Sequence, residues 1–256
     1  MSAELFSLDG RLALVTGSTR WIGNALARGL ARAGADVVLH GRDEGLLASQ
    51  SAAVAAETGR TVHTVSFDVT DRAAAAEALE ALMDEVGVPD ILVNNAGVQH
   101  RAPINDFPGD DWDRVVATNL SSAFYVSQPV TRRMSERGSG KVVNIGSVQS
   151  MLARRTIAPY SATKGGLVML TKGMAADLAQ DNIQVNAISP GYFASEMNRA
   201  LWEDPEFDAW VKGRTPAGRW GDVDELVGAL VFLASSASQF VSGQNIFVDG
   251  GMTSVV

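Results

Sequence analysis

The sequence predicts a doubly wound α/β fold, a seven-stranded parallel sheet with helices on both faces, within a single domain. Three observations lead there. Seven short strand-like runs alternate with helical stretches along the chain, the pattern of successive βαβ units. The first unit has a glycine-bearing turn between its strand and its helix, as dinucleotide-binding folds do. The residues with chemistry to offer stand just after strand ends, and ligands of such sheets bind beyond those ends. At 256 residues the chain has the length of one large α/β unit.

The elements follow in order. Leu12, Ala13, Leu14 and Val15 make a buried first strand, and residues 16–23 the turn after it. An amphipathic helix spans residues 22–33 and stops at Gly34. Strand 36–40, helix 43–57, strand 61–67, helix 71–86 and strand 91–93 continue the alternation. A polar loop, 98–109, leads to a long helix, 111–134, that contains Asn119. Strand 142–145 delivers Ser147, and a helix carrying Tyr160 and Lys164 follows. Strand 184–188 runs into Pro190 and Gly191. Residues 192–221 form a less regular, tryptophan-bearing stretch of the kind that covers active sites. Helix 223–233 and strand 246–248 close the chain.

The strand-end rule gathers Gly17, Asp68, Asn95, Ser147 and Pro190 into one crevice. Gly17 and Gly23 let backbone approach a pyrophosphate, which the following helix N-terminus attracts. A site that prefers NAD(H) places a carboxylate at the end of the second strand, to accept from the ribose 2′-hydroxyl. Gly41 stands there instead, followed by Arg42, with Arg20 nearby in the turn. Two guanidinium groups suit a 2′-phosphate, so NADP(H) is favoured. A shift that brought Asp43 to the ribose would admit NAD(H).

Tyr160 and Lys164 are one helical turn apart and share a face. A phenol so placed can exchange a proton with an alcohol or carbonyl oxygen, and an ammonium beside it is expected to lower its pKa. Ser147 can donate a hydrogen bond to the same oxygen.

Composition excludes other chemistries. A net charge of -8 argues against a nucleic-acid or anionic-membrane surface. The absence of cysteine removes disulfides, thiolate metal sites and a cysteine nucleophile. His40, His63 and His100 are scattered, and no metal site is expected. With no signal peptide and no membrane-length apolar stretch, a cytoplasmic location is expected.

Thr16-Gly17 with Gly23, Asn94-Asn95-Ala96-Gly97, Asn119, Ser147, Tyr160-x-x-x-Lys164 and Pro190-Gly191 resemble the motifs of the short-chain dehydrogenase/reductase family, in order and spacing over essentially the whole chain. The resemblance implies one NAD(P)-binding Rossmann domain, residues 1–256, with a substrate lid at about 192–221. It implies Tyr160 as catalytic acid/base, Lys164 as the residue that tunes it and holds the nicotinamide ribose, Ser147 on the substrate oxygen, and Asn119 on a relay water. It implies cofactor contacts from Gly17, Ser18, Arg20, Ile22, Arg42, Asp68, Val69, Asn95, Ala96, Gly97, Tyr160, Lys164, Pro190, Gly191, Phe193 and Ser195. A homotetramer or homodimer through the Asn119 and Tyr160 helices is also implied.

Residues 97–103, 147–150, 157–160, 190–198 and 214–221 resemble the members of the family that act on sugar acids. The expected reaction is reversible NAD(P)-linked oxidation of a sugar acid. Its carboxylate calls for cations, and Arg101, Arg154 and Arg155 lie in loops at the crevice mouth. His100 and Gln149 can bind hydroxyls. Ser147, Gln149, Tyr160, Arg101 and Arg154 therefore form the expected substrate set. The alternatives are a reductase of another ketose, a polyol or a 3-oxoacyl chain, and a binding protein that senses cofactor without turnover. The sequence departs from the family at Trp21, which replaces the second glycine of the phosphate turn. The expectation is that its indole partly obstructs the cofactor.

Overall fold

In the computed structural model, which describes residues 2–194 and 198–256, the strands form one parallel sheet. They are β1 (Leu12–Val15), β2 (Asp36–Gly41), β3 (Val62–Ser66), β4 (Ile91–Asn94), β5 (Gly140–Ile145), β6 (Ile183–Pro190) and β7 (Asn245–Val248). Their order is β3-β2-β1-β4-β5-β6-β7. The chain winds outward from β1 to β3, then returns to lay β4 on the other side of β1, with Val15 opposite Val93. This reversal opens the crevice between the carboxyl ends of β1 and β4.

The helices are α1 (Ser2–Phe6), α2 (Trp21–Arg32), α3 (Glu44–Thr58), α4 (Arg72–Glu85), α5 (Gly109–Val116), α6 (Ser122–Arg137), α7 (Ala158–Leu178), α8 (Arg199–Trp202), α9 (Pro205–Arg214) and α10 (Val227–Ala234). Alternate strand residues supply two cores, one on each sheet face. Ala13, Val15, Val37, Leu39, Ile91 and Val93 pack with Leu26 and Leu30 of α2 and Leu230 and Leu233 of α10. Leu14, Val38, Leu92 and Val142 pack with Leu79 of α4 and Val126, Val130 and Met134 of α6. Among the described residues no helix is long and apolar enough to cross a membrane.

Caps set the helix entries. Asp43, Asp71 and Asp204 accept hydrogen bonds from the first-turn amides of α3, α4 and α9, each cap contributing about 1 kcal/mol. Two expectations change. The helix expected at 111–134 is α5 and α6 joined by a π-turn, Ala117–Ser121, in which Ser122 N donates to Ala117 O. The irregular stretch 192–221 contains α8 and α9; Asp204 followed by Pro205 is an N-cap and first-turn proline.

Candidate active site

The phosphate turn is bolted to the end of β4. Thr16 Oγ1 accepts from Asn95 N at 2.9 Å and Ala96 N at 3.1 Å. The Asn95 side chain donates to Thr16 O at 2.9 Å and Gly17 O at 3.1 Å. Gly17 has φ +62°, and a methyl group on Gly23 would run into Gly17 O and the Asn95 amide. Gly41 is constrained less, since a Cβ there would lie 2.8 Å from the Thr19 Cγ2 methyl. No side chain caps α2, whose N-cap is Arg20. Its first turn is therefore left without a side-chain acceptor, as an anion site at a helix N-terminus requires.

Several of the expected cofactor residues use their side chains for packing, which leaves their backbone for any contact in the crevice. Ser18 is fully buried, and its Oγ accepts from His40 N at 2.9 Å, so the hydroxyl faces β2. Ile22 and Val69 turn their side chains to the two cores. Phe193 is 3% exposed and packs in the core against Gly221, which leaves its backbone as the part near the crevice. Ser195 lies outside the described residues. Pro190 ends β6, and a Cβ on Gly191 would lie 2.8 Å from Asp249 Cα. Trp21 begins α2 with φ +49°, the left-handed conformation that glycine adopts freely, and is 39% exposed.

Beyond the ends of β2 and β3, Arg42 pairs with Asp68 at 3.1 Å. Hydrogen bonds from the Thr70 backbone and hydroxyl hold the Asp68 carboxyl below its usual range. Asp43 accepts from Leu46 N at 2.9 Å as the cap of α3.

Ser147, Tyr160 and Lys164 come together at the ends of β5 and α7. Ser147 Oγ accepts from Gln149 N at 3.2 Å, leaving its own hydrogen to donate. Ser147 N donates to Ser189 Oγ, which in turn donates to Asn245 Oδ1, and these bonds fix the loop. Lys164 Nζ donates to Ile145 O at 2.6 Å and lies 5.7 Å from the Tyr160 ring centroid. Burial takes the Lys164 ammonium from 10.5 to about 8. The Tyr160 phenol is raised by burial, with the Ser147 hydroxyl and Arg101 pulling the other way. Burial of the phenol and the turn of the ammonium to Ile145 O both work against the lowering that the helical spacing suggests.

Asn119 sits in the π-turn. Its Oδ1 accepts from Val98 N at 2.7 Å, and its amide donates to Val98 O at 2.9 Å and Thr163 Oγ1 at 3.3 Å. Both amide hydrogens are used, so the side chain braces the strand end. A Cβ on Gly97 would lie 3.4 Å from Asn119 Oδ1 and 3.9 Å from Lys164 Nζ. Gly97 therefore keeps the space between them open.

The loops beside Tyr160 carry positive charge. Burial and then Arg154 lower the Arg101 guanidinium, while Tyr192 and Tyr160 oppose them. Among the described residues no carboxylate pairs with Arg101 or Arg154. Arg154 lies over the Phe207 ring, 5.0 Å from its centroid. Tyr192 contacts Phe207, Trp210 and Trp220 edge-on. Gln149 Oε1 and Arg154 Nε are buried without a partner. Arg155 is exposed, and His100 faces Asp111 at 3.4 Å. Thr16, His40 and Tyr192 were missing from the predicted set. Thr16 was signalled by a hydroxyl at the end of β1, and Tyr192 by an aromatic directly after Pro190-Gly191.

Residues 17–253 match the family profile described as enoyl-(acyl carrier protein) reductase. Gluconate 5-dehydrogenase of Gluconobacter oxydans (strain 621H) is 54% identical over 250 residues, covering 98% of this chain and 97% of that protein. 5-Keto-D-gluconate 5-reductase of Escherichia coli (strain K12) is 49% identical over 253 residues, covering 97% and 98%. A crystal structure of a gluconate 5-dehydrogenase from Burkholderia cenocepacia J2315, in complex with NADP and tartrate, superposes with a TM-score of 0.98 at 54% identity, covering 100% of both chains. With its doubly wound sheet, braced phosphate turn and Ser147–Tyr160–Lys164 group, the chain belongs to the short-chain dehydrogenase/reductase family.

Proposed function

We propose that this protein interconverts D-gluconate and 5-dehydro-D-gluconate with NADP(H). The observation that carries the reading is a pair of neighbouring guanidinium groups, Arg101 beside Tyr160 and Arg154 beside Arg101, with no carboxylate partner among the described residues. Such a pair suits the carboxylate of a sugar acid. The similarity to gluconate 5-dehydrogenases, one of them complexed with NADP and tartrate, supports the same substrate class and cofactor. Gly41, Arg42 and Arg20 favour the 2′-phosphate, and the capping role of Asp43 weighs against NAD(H).

The cofactor would lie from the Arg42–Asp68 rim, across the uncapped α2 terminus, to Pro190 and Gly191; its nicotinamide accepts or supplies the hydride. The chain's own residues handle the proton. The Ser147 hydroxyl donates to the reacting oxygen and orients it. In reduction the Tyr160 phenol gives its proton to that oxygen, and in oxidation the phenolate takes it back. Burial favours the protonated phenol, which is the acid form. The relay water belongs with the π-turn backbone beside Asn119, because the side chain is spent on Val98 and Thr163. Gln149 Oε1 would accept from a sugar hydroxyl.

The whole chain acts as one dinucleotide-binding domain, with 192–221 as its lid. Exposed Trp112, Phe124 and Met169 on α5, α6 and α7 support a homotetramer or homodimer through these helices. A cytoplasmic location goes with the same reading.

The test is NADPH oxidation with 5-dehydro-D-gluconate beside an uncharged ketose. Tyr160→Phe should lose about 10²- to 10⁴-fold in turnover. Arg154→Ala should raise KM for the sugar acid about tenfold and leave that for the ketose nearly unchanged. Oxidation of gluconate should accelerate with rising pH, since the raised phenol must lose its proton to act as base. Equal KM effects on both substrates would remove the carboxylate role of Arg154.

A further inference from the structure

We propose that His40 is a positioning residue for the cofactor, holding the phosphate turn and the Asp68 strand end at one fixed spacing through its two ring nitrogens. The proposal rests on the dinucleotide-binding reading of the crevice and adds to it the part that joins its two halves.

His40 lies near the carboxyl end of β2 and is buried. Its Nδ1 accepts from Gly17 N at 3.0 Å. Its Nε2 faces Phe67 O at 3.1 Å. An amide N–H donates and a carbonyl accepts, so both bonds form when the ring is neutral and carries its hydrogen on Nε2. A second proton, on Nδ1, would set two donors against each other at Gly17. Desolvation favours the same neutral form and takes the group to about 4, with the Phe67 carbonyl and Asp68 raising it and Arg42 lowering it.

The backbone of His40 completes the clamp. Ser18 N donates to His40 O at 3.0 Å, and His40 N donates to Ser18 Oγ at 2.9 Å. The Phe67 ring lies against the imidazole with centroids 4.2 Å apart. One side chain therefore joins the end of β1 to the end of β3 across β2.

The consequence follows from what stands at each end. Gly17 has φ +62°, and its amide points back to His40. That orientation sets the path of the turn into Trp21 and the uncapped α2 terminus, where a pyrophosphate would sit. Phe67 immediately precedes Asp68, whose carboxylate holds Arg42 at the 2′-phosphate side. Loss of the Gly17 bond frees the pyrophosphate half of the site. Loss of the Phe67 bond shifts the adenosine half.

Asparagine can place its oxygen near the Nδ1 position, and glutamine its amide near the Nε2 position. The experiment is titration of His40→Leu, His40→Asn and His40→Gln with NADPH, followed by cofactor fluorescence, with kcat measured at saturating NADPH. His40→Leu should raise Kd about tenfold, the scale of one buried hydrogen bond. His40→Asn, which retains the Gly17 bond, and His40→Gln, which retains the Phe67 bond, should each raise Kd above the parent but by less than His40→Leu. The effect should fall on Kd more than on kcat. Parental Kd in His40→Leu, or parental Kd in either His40→Asn or His40→Gln, would overturn the proposal, because each variant lacks at least one of the two bonds. Where His40→Leu does not fold, the asparagine and glutamine variants decide by themselves against the parent. The titration needs no substrate, so a protein that binds NADPH in the expected order without turning over the sugar acid refutes the substrate reading and not this one.

Discussion

Trp21 carries the chain's clearest local conflict. An aromatic residue at φ +49° costs about 1–2 kcal/mol relative to a right-handed conformation. Glycine removes that strain but adds freedom to the unfolded chain, which returns about 0.5–1 kcal/mol. Trp21→Gly should therefore stabilise the protein by about 0.5–1 kcal/mol, read in a urea unfolding curve. The indole is exposed at the open end of α2, beside the anion position. The same variant should bind NADPH about two- to tenfold more tightly, because a side chain that must move aside lowers apparent affinity by the fraction of open molecules. Unchanged or weaker binding in the fluorescence titration would show that the indole stays clear of the cofactor.

At the scale of elements, the π-turn between α5 and α6 is what presents Asn119. It interrupts the helix where Asn119 reaches Val98, residues whose contact no local pattern encodes. Asn119→Ala leaves the Val98 amide and carbonyl without their side-chain partner. The expected cost is about 1–3 kcal/mol in unfolding free energy. Turnover should fall more than NADPH affinity, since Gly97 and Val98 frame the space between Asn119 and Lys164 rather than the phosphate turn. Stability measured alongside kcat and Kd separates these effects; a loss confined to Kd would move Asn119 from the catalytic end to the cofactor.

At the scale of the whole molecule, exposed Phe124 and Met169 belong to two of the helices proposed to join subunits. Replacing both by aspartate should lower the mass in sedimentation equilibrium toward that of the single chain, 27.0 kDa. An unchanged mass would place the interface elsewhere. The alternation of strands and helices, the strand ends that build the crevice, the Gly41-Arg42 pair and the Ser147, Tyr160 and Lys164 group were all legible in the sequence. Periodicity is local, and a doubly wound sheet converts strand ends into one crevice. Glycine at Gly17 and Gly23 likewise marks close backbone approach before any coordinates are known. Tertiary structure decided what depends on neighbours distant in the chain. Burial, which pushes the Tyr160 phenol up, depends on what packs around the ring and not on its spacing from Lys164. Packing against Gly221 turned Phe193 inward, and Val98 claimed the Asn119 side chain. Gly17 and Phe67, far from His40 in sequence and beside it in space, made a solitary histidine the link between two strand ends. Desolvation and hydrogen-bond partners are properties of the packed molecule, and helical spacing or residue type alone does not contain them.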